Sequence, residues 1–194
     1  MTSKPATSMR AAAPQAPVAK PPCTIHASAI IAEKAQITGS HPVEIGENSV
    51  IHPYAKIRAE GGKVVIRKNS MIYERAIVGT EGTGGGDVVV GDYVNIETGA
   101  VVEAKSVGDG TVIDINAVVG KGAVVGVWCK IASLERVEDG EEVEEFTMLF
   151  SDGQRRVDKT AKEHAEIRQA RRNGQDKAVE VMRKLMPNAA AKWM

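Results

Sequence analysis

Four histidines, His26, His41, His52 and His164, are the residues of this chain best suited to move protons or hold a metal near neutral pH. A zinc centre needs three nitrogens within about 2 Å of one ion, and a general base must stand within hydrogen-bond reach of its target. No histidine lies between His52 and His164. That long stretch offers Tyr73, Glu97 and Glu103 instead, isolated groups that read as solvated. Two cysteines, Cys23 and Cys129, are the only thiols. The run Thr80-Glu-Gly-Thr-Gly-Gly-Gly-Asp87 is rich enough in glycine to suggest a phosphate cradle, but it lacks the lysine and hydroxyl of a P-loop. It reads as a bulge.

Whether any of these groups meet depends on what positions them, and that is written in columns. Ile31, Ile51, Ile72, Ile96, Ile113 and Ile131 recur about every twenty residues, the first five followed four places later by Ala35, Ala55, Ala76, Ala100 and Ala117. Two parallel columns flank them: Ile25, Ile45, Ile66, Val90, Val107, Val125 on one side and Ile37, Ile57, Val78, Val102, Val119 on the other. The period is six, with a β-branched aliphatic first and a small residue fifth in each hexad. Three hexads make a coil of a triangular prism, aliphatics inward and small residues at the corners. The hexapeptide pattern predicts an all-β solenoid, a left-handed parallel β-helix, of five coils and part of a sixth. At ~4.8 Å per coil its core is roughly 25–30 Å long. Every departure from the period follows the third column, so the insertions, the glycine bulge included, emerge along one vertex.

Four segments follow. Residues 1–22, rich in Ala, Pro, Ser and Thr and free of acids, are expected to form a disordered tail. Residues 23–137 form the prism. Residues 138–158 hold an acidic turn and an apolar strand, Phe146–Phe150, suited to cover the open end of the last coil, because Glu135 replaces the corner alanine after Ile131. Residues 159–194 carry two helices, 159–172 and 176–186, parted by Asn173-Gly174, with Asp176 as N-cap and Pro187 beyond the stop. The second presents Ala178, Val179, Met182, Leu185 and Met186 on one face, which should dock on the flat wall of its own prism. The net charge of +0 argues against a nucleic-acid partner, and no stretch approaches a membrane span. Cys23 and Cys129 sit some five coils apart, too far for a disulfide, and are expected as free thiols of a reducing compartment.

Hexapeptide solenoids include acyltransferases with a histidine base and gamma-class carbonic anhydrases with a three-histidine zinc. Placed on the prism, His26 and His52 fall on different faces, His41 at the irregular vertex and His164 in the tail, so no catalytic, cofactor-binding or metal site is expected. Against this stands the other reading, a gamma-carbonic-anhydrase-like or acyltransferase-like enzyme.

The runs Val50-Ile-His-Pro-Tyr-Ala-Lys-Ile-Arg-Ala-Glu60 and Val65-Ile-Arg-Lys-Asn-Ser-Met-Ile-Tyr-Glu74, then Arg155-Arg-Val157 and the ending Met182-Arg-Lys-Leu-Met-Pro-Asn188, resemble the dynactin subunit 6 family from about Thr24 to Trp193. The ending is the more specific sign, since all such solenoids share hexads. The tail falls outside the match, and the glycine bulge is shorter than the insertion of animal members. The resemblance implies a non-catalytic subunit of the dynactin pointed-end complex in the cytoplasm and cytoskeleton. Its partners there would be dynactin subunit 5, itself β-helical, dynactin subunit 4 and the pointed-end actin-related protein. Dynein and cargo adaptors would be reached indirectly, in microtubule-based transport, without membrane insertion.

Overall fold

Strands one coil apart pair in parallel, as the columns require. In the computed structural model, which describes residues 20–194, Ile25, Ile45, Ile66, Val90, Val107, Val125 and Val143 lie in register along one wall. Ile31, Ile51, Ile72, Ile96, Ile113, Ile131 and Leu149 line the second. Ile37, Ile57, Val78, Val102, Val119 and Val137 line the third. The isoleucines from Ile51 to Ile131 in the second wall are wholly buried, each worth about 1.5–3 kcal/mol relative to exposure.

Corners between walls are tight turns, and in most of those flanking the second wall one residue takes a left-handed backbone. Asn48, Asn69, Tyr93, Trp128 and Phe146 do so between the first and second walls, and Tyr54, Arg75, Asn116 and Leu134 between the second and third. Gly110 holds the same place as Tyr93 and Trp128, and a Cβ there would lie 2.7 Å from the Trp128 ring. The small corner column doubles as a hydrogen-bond ladder. The buried Ser70 hydroxyl donates to the Gly91 carbonyl (2.7 Å) and accepts from the Val94 amide (3.0 Å), while Thr111 donates to Gly126 (2.8 Å).

The prism runs further than its hexads suggest. Glu142–Val143 pairs in parallel with Val124–Val125, and Thr147–Phe150 with Lys130–Ile131. Among the described residues there are six complete coils and two walls of a seventh, so the expected end at Val137 and the separate cap over residues 138–158 come too early. Leu149, 1% exposed, replaces the isoleucine of lower coils. Glu135 is accommodated because its carboxylate lies at the surface and accepts from the amides of Asp152 (2.9 Å) and Gly153 (3.0 Å), holding a hairpin turn. The strand that covers the last coil is Gln154–Val157, antiparallel to Thr147–Phe150.

The tail departs from expectation in the same direction. A short helix α1, Lys159–Glu163, is capped by Asp158, and α2 runs from Ala165 to Leu185 without a break. Asp176 is therefore mid-helix rather than an N-cap. A helical Gly174 costs about 1 kcal/mol, and docking offsets it. Gln175 donates to the Asn69 carbonyl (2.6 Å), Asp176 accepts from the Asn69 amide group, and Val179 is buried against Ile30, Val50 and Met71 of the second wall. Ala178, Met182 and Met186 join that contact, whereas Leu185, expected on the same face, is 72% exposed.

Helix α2 descends the vertex between the first two walls, one coil after another. Arg168 covers Phe146, Arg172 covers Trp128 and Tyr93, and Arg183 donates to Asn48 at 2.8 Å. Pro187 ends it, and Asn188 reaches the first coil. Its carbonyl oxygen accepts from the Ile31 amide (3.0 Å), its amide group donates to the Ala29 carbonyl (2.8 Å), and the Ala189 amide donates to the Ile31 carbonyl (2.8 Å). Ala190 is buried beneath, with Trp193 packed against the core. The tail thus closes the lower end of the prism.

Residues 20–22 belong to this end rather than to a disordered tail: the Pro22 carbonyl accepts from Val43 (2.9 Å) and Lys20 donates to the Lys192 carbonyl (2.9 Å). The rest of the expected tail lies outside the described residues. Cys23 and Cys129 are both free, and burial pushes both thiols up. No described helix is long and apolar enough to cross a membrane.

Candidate functional site

The hexads bring one histidine into an organised setting. His52 follows Ile51 on the second wall and Tyr73 follows Ile72 one coil above, so their rings stack with centroids 4.6 Å apart and planes 24° apart. Glu74, next along the corner, places Oε1 3.0 Å from His52 Nδ1. His52 is 4% exposed although the second place of a hexad points outward, and its Nε2 is buried without a hydrogen-bond partner. Burial raises the Glu74 carboxyl, but hydrogen bonds from its own backbone and from His52 outweigh this and hold it below the usual carboxylate range. Burial lifts the Tyr73 hydroxyl, with help from Glu97 and Glu74.

An imidazole held by a carboxylate is the arrangement that orients a general base. Here the second nitrogen is buried in the wall. The pair locks a ring into the wall instead. Further up the same outer column come Glu97 and Asp114. Burial raises Glu97, as do the neighbouring carboxylates of Asp114 and Glu74, while Lys130 pairs with Asp114 at 3.2 Å.

The other candidates stay apart. His26 is exposed and shares a hydrogen bond with Ser28 (2.8 Å), His41 meets the Ala59 carbonyl at the insertion vertex (3.0 Å), and His164 pairs with Glu166 beside the start of α2 (2.7 Å). Among the described residues, no three His, Cys, Asp or Glu are grouped to hold a metal ion. The glycine bulge is braced from within: Thr80 donates to the Gly86 carbonyl (3.2 Å), Asp87 accepts from the Lys63 amide (2.8 Å), and Arg58 pairs with Glu81. A strand, Val88–Val90, follows it rather than the helix that phosphate binding uses.

A groove of about 310 Å³ opens between α2 and the second wall, floored by Met71, Asn95 and Val112 and roofed by Arg172 on the Tyr93 and Trp128 rings. Its volume is at the low end for ligand clefts. The column positions could have shown the His52–Glu74 contact, since the two stand one coil apart at the same corner. The groove depends on the helix path and has no such signal.

No protein-family model matches the chain. It is similar to dynactin subunit 6 of Danio rerio, 29% identical over 136 residues that cover 65% of this chain and 69% of that one. Similarity to dynactin subunit 6 of Xenopus tropicalis reaches 30% over 139 residues, 66% and 68% of the two chains. Among solved structures, a hexapeptide transferase family protein from Anaplasma phagocytophilum superposes with a TM-score of 0.69 at 17% identity, covering 84% of this chain and 92% of that one. This likeness is one of fold, and it fits the left-handed parallel β-helix.

Proposed function

The chain belongs to the dynactin subunit 6 family, and we propose that it is a non-catalytic structural subunit of dynactin, seated in the pointed-end complex. There it pairs with dynactin subunit 5, lies near dynactin subunit 4 and the pointed-end actin-related protein, and supports dynein-driven, microtubule-based transport and cargo-adaptor engagement. Its place is the cytoplasm and its cytoskeleton.

The observation that carries this reading is the agreement between kinship and burial. The 30% identity over two thirds of a relative accompanies a prism whose one organised imidazole is sealed, with His52 4% exposed. Purifying the tagged chain from its own cells should bring down dynactin subunit 5 and the other dynactin subunits; their absence would refute it.

A second reading, a hexapeptide-repeat enzyme of acyltransferase or gamma-carbonic-anhydrase type, draws on the shared fold. Stoichiometric zinc with CO₂ hydration, or acetyl transfer from acetyl-CoA lost in His52→Ala, would favour it. The structural reading expects neither.

A further inference from the structure

The three outer walls are not equivalent, and the difference singles out one of them. The second wall and its vertex with the first are occupied by α2. The vertex between the third and first walls carries the insertions, whose glycine bulge spans residues 81–87. The first and third walls remain uncovered, and of these the third adjoins the one vertex, that with the second wall, which neither α2 nor an insertion occupies.

Among the described residues, the exposed large apolar side chains of the coils are Tyr54 (48%), Ile115 (48%) and Leu134 (79%). All three stand at that one vertex. Leu134 lies one coil above the Ile115–Asn116 corner, its amide donating to the Ile115 carbonyl at 3.1 Å. Beside this ridge the outward column of the third wall reads Gln36, Lys56, Ile77, Val101, Val118, Arg136. Its apolar members are half-buried and its two cations exposed. The column contains no carboxylate; Glu103 and Glu138 stand one column over, Glu138 pairing with Arg136 at 3.2 Å. Lys56 and Arg136 lie four coils apart, about 19 Å. An apolar ridge and stripe bracketed by cations at both ends is the anatomy of an interface rather than of a solvated wall.

We propose that the third wall and its ridge of Tyr54, Ile115 and Leu134 form the surface on which a second β-helical chain docks, a chain whose flat wall carries an apolar stripe with carboxylates at both ends. A parallel prism suits this surface because its side chains repeat at the same pitch of about 4.8 Å, so aliphatics meet aliphatics over three coils and carboxylates meet Lys56 and Arg136. The assignment rests on the dynactin reading for the identity of that chain.

The test measures association of the full chain with purified dynactin subunit 5. Two double variants change only the proposed surface: Ile115→Asp with Leu134→Asp, and Lys56→Glu with Arg136→Glu. A third, Val89→Asp, changes the outward column of the first wall. Each double variant should melt within a few degrees of wild type and weaken the complex at least tenfold, while Val89→Asp, confirmed as folded, should bind as wild type does. Double variants that bind normally overturn the surface and leave the dynactin reading standing. A wild-type chain that does not bind dynactin subunit 5 overturns both. Self-association lost in the double variants would make the occupant a second copy and overturn the proposal on that point.

Discussion

The outward stripes of the second and third walls are built alike and used differently. Ile30, Val50 and Met71 on the second wall are buried under Val179 of α2, whereas Ile77, Val101 and Val118 on the third keep part of their surface in water. Inside, the two walls face the same core. A hexad therefore specifies the prism through its inward residue and leaves the outward one free to recruit a covering element, either from the same chain or from another.

The inward residues set the scale against which that difference is measured. Ile72 lies between Ile51 and Ile96 and is wholly buried. Ile72→Asp should leave no folded protein by circular dichroism, and Ile72→Ala should cost about 2–5 kcal/mol in denaturant unfolding. A melting temperature for Ile72→Asp near that of wild type would break the column assignment itself.

Cutting the chain after Val157 removes the cover of the second wall and the closure of the lower end together. The coils should still fold, with a lower melting temperature and increased binding of an apolar dye; an unfolded product would make the tail part of the core. The outward stripes can then be compared directly. Val50→Ala should cost about 2–3 kcal/mol because it opens a cavity beneath α2, and Val101→Ala roughly half of that because its site is partly solvated. Equal costs would erase the distinction between the walls.

The smallest effects concern the acidic column on the second wall, and their signs differ. Glu74 is held below the usual carboxylate range in the fold, so its stabilisation is present above the unfolded pKa and is lost as pH falls through the folded one. Glu97 is raised by burial and by Asp114 and Glu74, so its contribution is present below the unfolded pKa and is lost as pH rises through the folded one. At pH 7, Glu97→Gln should raise the melting temperature slightly and Glu74→Gln should lower it. Both differences should shrink in acid, where the carboxyls are already protonated.

The regular part of the fold was legible because its inward residues repeat one chemical type at one interval. Legibility failed where a residue's partner lies outside the hexad. Glu135 reads as a break in the pattern, yet it clamps the turn at Asp152 and Gly153 while the rungs continue to Leu149. Asn173-Gly174 reads as a helix break, and local propensity does favour one; contacts of Gln175 and Asp176 with Asn69, about a hundred residues away, override it. His52 reads as a surface histidine because its hexad place points outward. Its burial comes from Tyr73 and Glu74 in the next coil. The docking of α2 was visible in its apolar periodicity, but its vertex was not, because that depends on which corners carry Asn48, Tyr93 and Trp128.

The closure of the first coil by Asn188 has a consequence for how the chain is made. Ile31 and Asn188 are 157 residues apart, and at translation rates of about 5–20 residues per second the edge of that coil waits roughly 8–30 s for its closing strap. During that interval coils can stack upward on a foundation whose lower hydrogen-bonding groups are unpaired, the condition in which strand edges capture other chains. The exposed edge makes a nascent prism distinguishable from a finished one, and any factor that shields β-edges during synthesis would be released by the arrival of the same residues that complete the fold.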